Sequence, residues 1–179
     1  MTVKLSCNIG ARRILLSGKI DAVRSHDLRE ALLDLEAADP AAPINLYIDT
    51  LGGSAYSMFS MYDALQASPC PIHTIGIGKV MSCGVLLLAS GNKRALTPNT
   101  TVMMHQFSTE INGELDSMSI ELAHSKFLQD RMYTYYALHT GQTMAVIEKD
   151  LRNDRYMTAD EALKYGIVDK VLTGKGAKL

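Results

Sequence analysis

Cysteine is scarce in this chain. Its three residues, Cys7, Cys70 and Cys83, give an odd count and lack the paired spacing of a metal site. That excludes a disulfide scaffold and a zinc ribbon, and it predicts reduced thiols in a cytoplasmic setting. Excess charge is lacking too. The net charge is −1, so nothing in the balance asks for nucleic acid or an anionic membrane as partner. No apolar run reaches the roughly 18 residues of a membrane span, and no signal-peptide core is expected at the start. Tryptophan is absent altogether, which decides little. What remains is ordinary for a globular protein: 47% hydrophobic and 21% charged residues over 179 positions, predicting one domain with a real core.

Hydrophobic periodicity divides the chain into strands and helices. Residues 1–11 show no clear period and predict an N-terminal arm or a short edge strand. Residues 13–17 predict a buried strand ended by Gly18. Leu28, Ala31, Leu32 and Leu35 recur at helical spacing, predicting a helix over 25–38 with Ser25 as N-cap and Asp39-Pro40 as stop. Residues 44–49 alternate as a strand that ends in Thr50-Leu51-Gly52-Gly53-Ser54. A second helix follows, closed by Ser68-Pro69, and 72–77 is the next strand. A β-α-β-α-β-α series of this kind implies parallel pairing. A helix then runs from Ser82 to about Ala89, with short strands over 93–96 and 101–106. The long helix over 115–138 is apolar on more than one face, which predicts that another subunit covers the second. Residues 143–150 predict a further helix and 153–156 an irregular link. Thr158 and Glu161 have the spacing of a capping box, 167–172 reads as a last strand, and 173–179 as a flexible tail.

The chemistry centres on Ile75 to Ala89, an apolar run broken by Gly76, Gly78, Ser82 and Cys83. A strand feeding a helix there places Ser82 beside free backbone amides at the helix start. The plain alternative is an N-cap or a small packing residue. A nucleophilic serine needs a base and an acid to orient it. Of the five histidines, His105 falls at the end of an apolar strand, where parallel sheets expose functional groups. A satisfied core histidine is the plain reading there. Asp154 stands between two helices beside Arg155, either as the orienting acid or as a surface ion pair. The Gly52-Gly53 pair is either a tight turn or a close backbone approach to substrate. In the second case the Gly53 N–H points at an oxyanion and the Cys83 N–H is the second donor. Cys83 itself is a poor nucleophile, because apolar burial raises a thiol pKa.

Five separate motifs share one resemblance. They are Leu46-Tyr47-Ile48-Asp49-Thr50-Leu51-Gly52-Gly53, Met81-Ser82-Cys83-Gly84, Met103-Met104-His105-Gln106, His139-Thr140-Gly141-Gln142 and Asp154-Arg155-Tyr156-Met157-Thr158-Ala159. In order and nearly in spacing, over about residues 12 to 173, they resemble the ClpP family, the proteolytic subunits of Clp proteases. The resemblance implies an α/β fold of the Clp/crotonase type, with stacked βαβ units and a projecting strand–helix handle at 107–138. It implies Ser82 as nucleophile, His105 as general base and Asp154 as orienting acid, with the amides of Gly53 and Cys83 as oxyanion hole. It further implies two stacked heptameric rings, a tetradecamer, fed with peptides or unfolded proteins by an AAA+ unfoldase, with no metal or cofactor. The chain departs from the family at three places. Thr50-Leu51 stands where Ser-Pro is usual, and Phe107-Ser108-Thr109-Glu110 replaces a proline followed by a glycine pair. Only about eleven residues precede the first strand, where the family carries a loop and helix used in docking the ATPase. Two rival expectations stand beside this one: a catalytically silent ring subunit, and a crotonase-type enzyme acting on acyl-CoA thioesters.

Overall fold

In the computed structural model, residues 5–174 and 176 are described. They form one sheet of eight strands, flanked by six helices. β1 (Ser6–Asn8) is the antiparallel edge against β2 (Arg13–Ile20). β2, β3 (Ile44–Gly53) and β4 (Ile72–Met81) then pair in parallel. Helices α1 (Ala22–Ala38) and α2 (Ala55–Ala67) connect them, as a βαβ series requires.

The sheet forks at β4. Its first half, from His73 to Gly76, pairs with β5 (Lys93–Leu96). Its last residues, Lys79 to Met81, pair with β6 (Thr101–Met104). Between the two halves β4 bulges: Ile48 and Thr50 of β3 lie opposite Gly76 and Val80 of β4, so two residues on one strand span four on the other. Gly78 supplies the turn with φ of +65°, a conformation that suits glycine. The Lys79 ammonium donates to the Asp49 carboxylate at 3.0 Å across the bulge. β6 continues into an antiparallel pair with β7 (Arg155–Met157), and β5 pairs in parallel with β8 (Lys170–Val171).

The core lies between β2–β4 and the helices. Ile14, Leu16, Ile44, Leu46 and Ile48 are fully buried, and every residue of α3 (Cys83–Ala89) is buried. A helix apolar on all sides belongs in the middle of a domain. α4 (Leu115–Thr140) behaves differently along its length. Its base packs through Leu128, Met132, Tyr133 and Tyr136, whereas Leu115 and Ile120 are 83% and 71% exposed. The chain closes with α5 (Met144–Asp150) and α6 (Ala159–Tyr165). The guanidinium of Arg94 donates to the carbonyls of Ala89, His139 and Gly166, at the ends of α3, α4 and α6.

Several sequence expectations need correction. β2 does not end at Gly18 but bulges there and runs on to Ile20. Ser25 is not a cap: α1 starts at Ala22 because the Asp21 carboxylate accepts from the Arg24 amide at 2.9 Å, leaving Ser25 buried in the first turn. Residues 155–157 are strand rather than irregular link, too short a run to show alternation. The last strand shrinks to two residues, since Ile167 and Val168 are buried in the turn before it. Within the expected handle, residues 107–114 make no strand ladder in the single chain, and α4 extends to Thr140. The Thr158–Glu161 capping box is present. Of the expected arm, residues 1–4 lie outside the described residues, and so do most of those in the expected tail.

Candidate active site

Ser82 occupies the one-residue junction between β4 and α3, with φ +53° and ψ −127°. An L-residue adopts such a conformation at a cost of about 1–3 kcal/mol, so neighbours must enforce it. Three bonds do so. The Ser82 amide donates to the Met103 carbonyl at 2.8 Å, extending the β4–β6 ladder by one residue. Its carbonyl accepts from the Val85 amide at 3.0 Å and from the Tyr136 hydroxyl at 3.2 Å. The side chain makes no capping bond. Its Oγ lies instead 2.7 Å from Nε2 of His105, the residue after β6. The fork in the sheet makes this meeting possible, because β6 runs beside the end of β4 that carries Ser82.

Close packing fixes the serine further. Gly52 has φ of +95°, and a Cβ built there would sit 2.6 Å from Ser82 Cβ and 3.1 Å from its Oγ. The Gly52 amide is held by the Thr50 hydroxyl at 3.0 Å. At Gly53 a Cβ would overlap the Ile20 carbonyl. The next amide, of Ser54, donates to Ile20 at 2.8 Å. Strand alternation therefore turns Gly53 toward the opposite edge, where the Cys83 thiol donates to the Gly53 carbonyl at 3.4 Å. Burial, the dominant effect, pushes the Cys83 thiol above its ordinary pKa, so it stays protonated beside the serine. Gly52→Ala is expected to displace Ser82 and lower kcat/KM about 100-fold, the scale of a 1 Å misplacement at a reacting centre. Kinetics on a fluorogenic peptide checks this.

Ser82 and His105 open onto a cleft of about 190 Å³, also lined by Gly53, Ala55, Phe107 and Met132. Such a volume suits one side chain rather than a whole small-molecule ligand. Asp154 sits differently. It is exposed, and among the described residues no hydrogen bond or ion pair joins it to His105. Yet the β6–β7 register runs Val102↔Met157, Met103↔Tyr156, Met104↔Arg155. The ladder ends there, and one more step of the same register would set His105 opposite Asp154. Facing residues on an antiparallel pair hold their Cβ atoms about 5 Å apart on one side of the sheet.

The other histidines have other partners or positions. His139 meets the Tyr62 hydroxyl at 2.9 Å, and burial with the nearby Arg94 charge lowers its pKa. His124 meets the Tyr56 hydroxyl at 3.0 Å. His73 lies within β4, its pKa lowered by burial and Lys93. The sequence reading passed over Tyr136, because a tyrosine at helical spacing looks like one more apolar contact. Among the described residues no three His, Cys, Asp or Glu side chains gather as metal ligands, and no helix is long and apolar enough to cross a membrane.

Comparison with known proteins gives one consistent result. A family model described as Clp protease matches residues 4–175. The chain is 38% identical over 167 residues to "ATP-dependent Clp protease proteolytic subunit 2" of Corynebacterium glutamicum, covering 92% of this chain and 83% of that protein. It is 38% identical over 164 residues to "ATP-dependent Clp protease proteolytic subunit 1" of Rhodococcus jostii, covering 90% and 74%. Subunit 1 of Corynebacterium glutamicum is 37% identical over 163 residues, covering 89% and 78%.

Proposed function

The chain belongs to the Clp protease family, and from that premise we propose a serine endopeptidase in which Ser82 is the nucleophile, His105 the general base and Asp154 the acid that orients it. The observation that carries this reading is the 2.7 Å approach of Ser82 Oγ to His105 Nε2 beside an open cleft. With its proton on Nδ1, His105 takes the hydroxyl proton at Nε2 as Ser82 attacks the peptide carbonyl. The amides of Gly53 and Cys83 receive the negative charge on the carbonyl oxygen. His105 then passes the proton to the leaving amine. A water molecule, deprotonated by the same nitrogen, releases the acyl group and restores the serine. Asp154 accepts from Nδ1–H and stabilises the imidazolium, after a side-chain turn that brings its carboxylate to the ring.

Ring assembly with an ATPase partner follows from the family in general. The finer arrangement proposed is two stacked rings of seven. The exposed apolar residues on the outer part of α4 support it, since Leu115, Ile120, Leu122 and Phe127 need a covering surface. Substrates are peptides and unfolded proteins threaded to a cleft sized for one side chain. The setting proposed is cytoplasmic, in keeping with three unpaired thiols.

Labelling of the assembled particle with a fluorophosphonate tests the reading. Mass spectrometry is expected to find one adduct per subunit, on Ser82. An assembled ring without that adduct would mark the chain as a silent structural subunit.

A further inference from the structure

We infer that Tyr136 is a positioning residue for the oxyanion hole, acting through the peptide bond that joins Ser82 to Cys83. This rests on the catalytic reading above. The argument begins with peptide geometry. The Ser82 carbonyl and the Cys83 N–H belong to one planar trans unit and point in opposite directions. Whatever holds the carbonyl aims the N–H. The Tyr136 hydroxyl donates to that carbonyl at 3.2 Å from the side of α4. The Cys83 N–H therefore points away from α4's hydroxyl, and Cys83 lines the cleft with Gly53 and Ser82.

Three further observations favour a positioning role over simple packing. The Tyr136 ring is 1% exposed in the core, and its hydroxyl is spent on a backbone carbonyl of the serine junction. Burial drives the hydroxyl pKa well above its ordinary value, so it remains an O–H donor across the working range. Ser82 carries a strained backbone, which persists only where its surroundings over-determine it. The Val85 amide bonds the same carbonyl from within α3 and moves with that helix. Tyr136 provides the restraint from outside, across 54 residues of sequence.

The test is Tyr136→Phe in the full-length, assembled protein, read on a fluorogenic peptide and a peptide boronic acid. Removing an oxyanion donor outright costs 10²–10³ in kcat, and loosening one is expected to cost about tenfold. KM should stay within about twofold, since ground-state binding does not use the donor. Boronic acid affinity should fall by about the same tenfold factor as kcat, because its tetrahedral adduct fills the oxyanion position. Tyr133→Phe, a buried tyrosine of the same helix, should leave both unchanged. Unchanged kcat in Tyr136→Phe overturns the inference. So does a fall in kcat without loss of boronic acid affinity, or one explained by lost assembly. Fluorophosphonate labelling separates the levels. No adduct on Ser82 removes the catalytic reading itself, whereas an adduct with wild-type kinetics in Tyr136→Phe removes this inference alone.

Discussion

Ser82→Ala is expected to lower peptide turnover by at least about 10³-fold while particle mass and melting temperature stay as in the parent. The two halves of that result have separate causes. The hydroxyl makes no capping bond to α3 and lies 2.7 Å from Nε2 of His105. Taking it away leaves the bonds that anchor α3, to Ala89 from Arg94, to Leu88 from Thr74 and from Cys83 to Gly53, in place. The bonds that enforce the strained junction come from the Ser82 amide and carbonyl, which alanine keeps. A folding defect is therefore not a source of lost activity. His105→Ala should give a loss of the same size, and the double variant no more than either single one, because the two groups act as a unit. Undiminished turnover in Ser82→Ala refutes the nucleophile assignment.

Asp154→Asn is the second substitution with a large expected effect, about 10³-fold or more in kcat. Position supports it. Met104 pairs with Arg155 at the end of the β6–β7 ladder, and His105 and Asp154 are the residues that directly adjoin that pair in the chain. Among the described residues the exposed carboxylate makes no hydrogen bond or ion pair, so the amide should fold and assemble normally. What asparagine changes is the imidazole: its amide can donate an N–H to Nδ1, which a carboxylate cannot, and that favours the tautomer with its proton on Nε2. That proton then faces Ser82 Oγ, and the ring no longer accepts. Turnover within about twofold of the parent would leave Asp154 as a surface carboxylate and send the search for the orienting group elsewhere.

The parts of this molecule that were legible in its sequence share a physical property: their signal is local. α1 buries Leu28, Ala31, Leu32 and Leu35 as their spacing implied. The capping box at Thr158 involves neighbours three residues apart. The position of Ser82 between a strand and a helix also followed from one continuous stretch. What escaped was set by pairing at a distance. β2 passes through Gly18 because β3 lies alongside to hold it, a fact no window around Gly18 contains. β7 exists because β6 offers an edge. The start of α1 went astray over a competition between Asp21 and Ser25 that only side-chain geometry decides. In the site, the Gly52-Gly53 pair reads as a tight turn or a close approach to substrate, while the approach of Gly52 to Ser82 spans 30 residues of chain and exists only once β3 and β4 lie side by side. The five motifs carried the family where no single one did, since their order and spacing together are far less probable by chance than any one alone.

Arg94 ties three strings with one knot. A single planar cation closes the frayed ends of α3, α4 and α6, and Asp169 clamps the same guanidinium at 2.6 Å. Loosening any of the three therefore slackens the others. α6, the end of α4 and the helix behind Ser82 should open as one cooperative block, so their slowest amide protons should exchange with solvent in step.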